Sequence, residues 1–404
     1  MFIARQPIFN KSLRIYGYEL LFRADSGSSG FSGASSTSAT AAVMGGLFEQ
    51  GLNGVVGSSK AFVNFDYDFI MSDMIELIDS TALVIEILET VQVDDYLLER
   101  IQRLKKRGYK VALDDFISDE NSSKMISYAD IIKFDIRNTP LDMIRKQVKE
   151  AIADKKVLLA EKIETTEEFE EAKKMGFQLF QGYFFCKPNN VPYGIGSKKS
   201  SHIVYARIME ELKKEDFLYE KISDIIETDV DLSYRLFRIL GNKKEERNLN
   251  SIKNALVRMG RLEIERWVSI LMLQDISKDK PDELFRISLI RSRFGEFIAQ
   301  NSAFSKYQDE FSLLCLFSVL DVMLDRSMEE ALSGLPVSDD VAELLINGGG
   351  RFMPLFMLLR SYESGDWSDV EEYLGIVQID PGILAEGYLS AIGWASGIVN
   401  AYTK

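Results

Sequence analysis

Seven short apolar runs in the first half of this chain each carry, at or near their C-terminal end, a polar side chain that could hold a cation or move a proton. Glu19 follows YGY, Asn64 lies near the end of AFVNF, and Glu86 closes ALVIE. Asp114 and Asp115 close VALDD, Lys133 sits in IIKFD, Glu161 follows VLLA and Gln181 follows FQLF. Any one of these alone reads as a solvated strand end, but the whole set carried to one rim reads as a site. Carboxylates and a carboxamide oxygen are hard ligands, suited to Mg²⁺ or Mn²⁺ and poorly suited to thiophilic metals. The adjacent Asp114 and Asp115 are placed to bridge two such ions. Two ions about 3.5–4 Å apart stabilise both the attacking and the leaving oxygen in phosphodiester hydrolysis. Lys133 and Glu161 are then the residues to orient and deprotonate a water.

A set of this kind needs elements that deliver every member to one place. From Phe2 to Pro188, apolar runs alternate with helical stretches such as Val93 to Arg107 and Thr165 to Met175. Repeated strand–helix alternation predicts a parallel α/β sheet, and about eight strands predict a barrel, whose site lies at the C-terminal ends of its strands. The Gly- and Ser-rich run Ser26 to Ser38 predicts a loop before a helix beginning near Thr40. After Pro188 the run NNVPYGIGSKKSSH loses the apolar period and marks a domain edge, with His202 at the linker. Beyond it the pattern is helix after helix, as in Ile222 to Leu240 and Ser251 to Leu273. In the latter, Ile252, Ala255, Leu256, Met259, Ile264, Trp267, Val268 and Leu271 follow helical spacing. The predicted division is residues 1–195 as a barrel and residues 203–404 as an all-helical domain.

Composition supports this and narrows the function. At 404 residues the chain exceeds what one core usually organises. With 46% hydrophobic and 27% charged residues it is too apolar to be a disordered chain. A formal net charge of −14 makes nucleic acid an unfavoured partner. Cys186 and Cys315 are the only cysteines, which offers no disulfide framework and fits a reducing cytoplasm. Residues 1–6 show no secretory apolar region, and apolar runs such as Trp267 to Leu273 fall short of the roughly 20 residues of a membrane span.

The segments YGYELLFR, FVNF, VIEILE, ALDDF, IIKFD, LLAEKIET and FQGYFF resemble, in order, the signatures of the EAL family of cyclic di-GMP phosphodiesterases. The resemblance covers roughly residues 1–190 and implies an EAL-type (β/α)8-like barrel that linearises cyclic di-GMP to pGpG with two Mg²⁺ or Mn²⁺ ions. It implies Glu19, Asn64, Glu86 and Asp114 as ligands of the first metal, and Asp114 with Asp115 as ligands of the second. Lys133 and Glu161 match positions serving the nucleophilic water, and Glu164 and Gln181 match supporting polar positions of the same site. Gln6 and Arg23 match substrate contacts, Arg being suited to a bidentate grip on phosphate, and Glu89 matches the brace of the loop after the aspartates. The chain departs from the family at that loop, where DDFISDENSS stands for DDFGTGYSS and lacks both glycines. EKIE replaces EGVE, placing Lys162 beside Glu161, and ELL replaces EAL. These departures bear on turnover more than on binding. A catalytically weak receptor or scaffold that binds cyclic di-GMP or a protein is therefore the rival expectation.

DVDLSYRLFRILGN and SIKNALVRMGRLEIERWV resemble the HDOD domain, a helical relative of metal-dependent HD phosphohydrolases. With His202 as the one histidine, a His–Asp metal cluster is excluded. The resemblance thus implies a non-catalytic output domain with a protein partner, and the family's loop contacts make a homodimer possible. Arg351 to Tyr362 and Trp267 read as core.

Overall fold

The structure, a computed structural model, describes residues 2–23, 52–88, 91–114, 124–182, 199–229, 232–233, 235–236, 252–277, 280–333, 335 and 337–402. Eight strands close a barrel in chain order: β1 (Phe2–Asn10), β2 (Ile15–Arg23), β3 (Lys60–Phe65), β4 (Leu83–Ile87), β5 (Lys110–Leu113), β6 (Ile131–Asp135), β7 (Val157–Glu161) and β8 (Leu179–Gln181). From β2 to β8 every pair is parallel, whereas β1 runs antiparallel to both β2 and β8. The barrel is therefore not eight equal strand–helix units. A tight turn reverses the chain at once: Asn10 Oδ1 accepts from the backbone N–H groups of Ser12 and Arg14, and Leu13 sits at φ 57°.

Successive side chains on a strand face opposite ways, so residues two apart share the barrel interior. Ile8, Phe62, Val84, Ala112, Ile131, Leu159 and Leu179 form one apolar layer there. β2 contributes Gly17 at the matching step. A Cβ on Gly17 would stand 2.7 Å from the Lys60 carbonyl oxygen and 2.8 Å from a ring carbon of Phe62, so the space belongs to Phe62. One pleat further along, the same strand faces carry Glu19, Asn64, Glu86, Asp114, Lys133, Glu161 and Gln181. In the reversed β1 the step runs the other way, from Ile8 back to Gln6. A single period of two, laid on a hydrophobic floor, thus brings eight polar side chains to one level.

Helices between the strands are held by local chemistry. In α1 (Asp95–Lys106) Asp94 caps the start by accepting from Leu97 N–H, and Leu97, Ile101 and Leu104 are buried. In α2 (Thr166–Met175) Thr165 and Glu168 form a capping box, and Gly176 ends the helix at φ 113°.

The later helices include α3 (Arg261–Ile276), α4 (Asp282–Gln300), α5 (Met353–Ser364), α6 (Trp367–Val377) and α7 (Leu384–Tyr402). The helix expected over Ser251 to Leu273 is broken at Gly260, φ 77°, into Ile252–Met259 and α3. Of the positions on its expected helical face, Ile252, Ala255, Leu256, Ile264, Trp267, Val268 and Leu271 are buried, while Met259, beside the break, is only half-buried. Phe352, Leu355, Leu358, Leu359 and Tyr362 are likewise core. His202 lies within the helix Lys199–Lys213, not on a linker.

Contacts divide the chain into two units that do not follow chain order. Met1–Lys187, Arg293–Gln308 and Pro354–Lys404 form one, and Pro188–Ser292 with Asp309–Met353 form the other. The division expected from composition does not anticipate the return of 293–308 and 354–404 to the barrel unit, because helical periodicity says which face is apolar and not what covers it. In the barrel unit, Phe2 stacks on Trp367 with ring centroids 5.6 Å apart. Tyr362 meets both edge-on, at 6.0 and 5.5 Å, and its hydroxyl accepts from Ile3 N–H at 3.3 Å. The window Pro381–Asn400 spans 20 residues at a mean hydropathy of 1.2, long and apolar enough to pass for a span where uninterrupted runs did not. Leu384, Tyr388, Ala391, Ile392, Ala395 and Val399 are nonetheless buried along one stripe of α7, with Tyr388 5.2 Å from both Phe294 and Tyr362.

Candidate active site

At the C-terminal ends of the parallel strands the polar layer is organised around one ammonium. Lys133 Nζ, 1% exposed, lies 2.7 Å from Asp114 Oδ1, 2.8 Å from Glu86 Oε1, 2.8 Å from Glu161 Oε1 and 3.5 Å from Glu19 Oε1. Asn64 Nδ2 donates to Glu19 Oε1 at 3.2 Å, and Gln181 Nε2 donates to Glu19 Oε2 at 2.7 Å and to Gln6 Oε1 at 2.9 Å. The structure therefore brings together Gln6, Glu19, Asn64, Glu86, Asp114, Lys133, Glu161 and Gln181.

Two of the expected residues stand apart. Glu164, on the loop after β7, pairs with Arg137 at 3.2 Å and is half exposed, because the chain has already left the strand and the period of two no longer aims it inward. Arg23, at the end of β2, pairs with Glu371 of α6 at 2.6 Å. Glu89, Asp115 and the loop 117–123 lie outside the described residues. Lys162 follows Glu161 at the end of β7. It sits at φ 56° and gives its ammonium to Asp135 Oδ2 at 2.7 Å. Asp135 also accepts from the N–H groups of Arg137 and Asn138, and although burial opposes it these partners hold its carboxyl below the usual range. Strand-end reasoning singles out Lys133 in IIKFD and misses Asp135, which the same period of two places on the same face of β6.

Four carboxylates face a single ammonium, and titration follows from that imbalance. Burial, with the charges of Glu19 and Asp114 added against the pull of Lys133, pushes Glu161 up to about 8. Burial likewise raises Glu86 well above the carboxylate range, again opposed by Lys133 and reinforced by Glu19 and Asp114. For Lys133 burial works downward, but Glu161, Glu19, Glu86 and Asp114 outweigh it and leave the ammonium raised well above its usual value. A carboxyl whose folded value is raised binds more protons in the folded than in the unfolded state between the two values. Its contribution to stability is present below about pH 4.5 and is lost as pH rises towards about 8. In chelator, the stability difference between Glu161→Gln and wild type should therefore grow in favour of the variant across that window, read by thermal unfolding. A difference that shrinks with rising pH would contradict this account.

Among the described residues no three acidic, His or Cys side chains form a ready cation cage, since the carboxylates are drawn to Lys133. The surroundings nevertheless suit a hard cation. Asn64 Oδ1, Gln181 Oε1 and Glu86 Oε2 are buried acceptor oxygens with no hydrogen-bond donor. Among the described residues of this layer every orphan is an oxygen acceptor, which is the donor set of Mg²⁺ or Mn²⁺.

Comparison with known proteins bears on the family. The model of the EAL domain matches residues 66–188, a span that leaves Gln6, Glu19, Arg23 and Asn64 outside it. The uncharacterized protein YuxH of Bacillus subtilis (strain 168) is 33% identical over 413 residues, covering 99% of this chain and 99% of its own. The cyclic di-GMP phosphodiesterase CdgJ of Vibrio cholerae serotype O1 is 31% identical over 402 residues, covering 98% of this chain and 93% of its own. Among solved structures, the Bacillus subtilis YkuI protein, with an EAL domain, in complex with cyclic di-GMP and calcium, is 20% identical, with 60% of this chain and 72% of that one covered at a TM-score of 0.39. Aligned almost end to end with YuxH and CdgJ, and carrying the domain within its barrel, this chain belongs to the EAL-domain family of proteins.

Proposed function

We propose that the barrel hydrolyses cyclic di-GMP to pGpG, and that the second unit, Pro188–Ser292 with Asp309–Met353, serves as a non-catalytic output domain of the HDOD kind. The observation that carries the reading is the polar layer itself, in which Glu19, Asn64, Glu86, Asp114, Lys133, Glu161 and Gln181 meet above one apolar floor. A relative of nearly equal length, 31% identical, is named a cyclic di-GMP phosphodiesterase, which supports the substrate.

Glu19, Asn64, Glu86 and Asp114, with Asp115, would hold Mg²⁺ or Mn²⁺, which when bound neutralises phosphodiester charge and acidifies water. Glu161, raised to about 8, is suited to take a proton near neutral pH. Lys133 stays charged and fixes the carboxylates that surround it. Arg23, released from Glu371, would grip phosphate.

A second reading, a receptor that binds cyclic di-GMP with little turnover, draws support from the sequence of 117–123, where Asp119 and Glu120 bring two negative charges that the resembling family loop does not carry. Incubation of purified protein with cyclic di-GMP and Mn²⁺ or Mg²⁺, followed by chromatography, separates the two. Metal-dependent pGpG is the expected product. Saturable binding with intact dinucleotide after many hours would establish the receptor instead.

A further inference from the structure

Gln6 belongs to the polar layer and also reaches outside the barrel. Its Nε2 donates to the backbone carbonyl of Ser364 at 3.0 Å. Ser364 is the last residue of α5, and the chain leaves that helix through a fixed turn: Asp366 N–H returns to the Ser361 carbonyl at 2.9 Å, Gly365 N–H to the Tyr362 carbonyl at 3.2 Å, and Gly365 adopts φ 71°. A Cβ on Gly365 would lie 2.6 Å from Leu21 Cδ1, so this turn lies tight against β2. The Ser364 carbonyl is one of the acceptors that a helix end leaves without an intrahelical donor, and Gln6 supplies the donor.

The donor logic then propagates without a free choice. A carbonyl only accepts, so the amide nitrogen of Gln6 must face Ser364 and its oxygen must face Gln181. That oxygen also only accepts, so Gln181 must turn its nitrogen towards Gln6, where it reaches Glu19 Oε2 as well. Gln181 Oε1 is thereby left on the other side, buried and without a donor. Glu19 Oε2, itself only an acceptor, requires the same orientation, so Gln6 and Glu19 together hold the Gln181 amide nitrogen from two sides.

The geometry points to a positioning relay in which the C-terminal end of α5, through Gln6 and Gln181, orients Glu19 and the Gln181 carbonyl oxygen for the divalent cation. The inference rests on the metal reading of the site and extends it to a segment some 180 residues beyond the last barrel strand. Through this relay, displacement of residues 361–366 changes the metal site without touching a ligand.

The test uses the full-length chain. Gln6→Leu removes the amide, and Gly365→Ala displaces the turn from outside the site. Each should weaken Mn²⁺ binding by about 10-fold, the scale on which partners of metal ligands act. The double variant should be no worse than the weaker single one, because both cut the same chain of bonds. In metal-free protein labelled at glutamine side chains, Gly365→Ala should move the Gln181 amide resonances. Multiplicative losses of Mn²⁺ affinity would overturn the relay, as would an unmoved Gln181 signal. Absence of Mn²⁺ binding in the wild type would instead overturn the metal reading, and the resonance shift alone would then decide the relay.

Discussion

Lys133→Met should destabilise the metal-free protein by about 3–5 kcal/mol at pH 8, the usual consequence of removing one partner from a buried ion pair. The magnitude follows from the geometry. Lys133 is the positive charge shared by Glu19, Glu86, Asp114 and Glu161, and the ammonium is 1% exposed. Removing it leaves four carboxyls crowded into one buried space with no compensating charge. The loss should be smaller at pH 5, where carboxyls with raised values such as Glu161 accept protons. Mn²⁺ should recover part of it by supplying the missing positive charge. Urea denaturation of both proteins at the two pH values measures this, and equal stability at pH 8 would show that Lys133 does not hold the cluster together.

Asp114→Asn should separate chemistry from folding. Asp114 provides one of four carboxylates around Lys133, so a neutral, nearly isosteric amide leaves the ammonium paired with the other three. Fold stability should change by no more than about 1 kcal/mol, as for most substitutions that create neither cavity nor buried charge. Mn²⁺ affinity and turnover should each fall by at least about 10–100-fold, the range found on removing even the partners of metal ligands. Calorimetric titration with Mn²⁺, beside a pGpG assay and a melting curve, distinguishes the outcomes. Collapse of the fold would make Asp114 a structural residue.

Much of the site was legible because a barrel converts strand periodicity into position. The runs ALVIE, VALDD, IIKFD and VLLAE place an acid or a lysine two residues after an inward apolar residue, and the floor of Val84, Ala112, Ile131 and Leu159 lies beneath them. Glu164 and Arg23 illustrate where that logic ends. Glu164 comes after the strand, and Arg23 meets Glu371, so their partners depend on loops and helices rather than on the pleat. The reversal of β1 was equally hidden. A strand's pattern reads the same in either direction, and only the short turn Asn10–Arg14 shows that β1 and β2 must be a hairpin. The return of α5 and α6 to the barrel leaves no trace in amphipathic spacing, since an apolar helix face does not name its partner.

The aromatic contact of Phe2 with Tyr362 and Trp367 also has a meaning in the order of synthesis. Strand β1 closes the barrel only through Ile8, Phe9 and Asn10 against β8, and the rings that pack on Phe2 come 360 or more positions later. Contacts this distant in sequence form late and slowly. During synthesis Phe2 therefore has neither of these rings to pack on until α5 and α6 have followed it, some 360 residues later. Completion of the clamp then reports that residue 367 has been made.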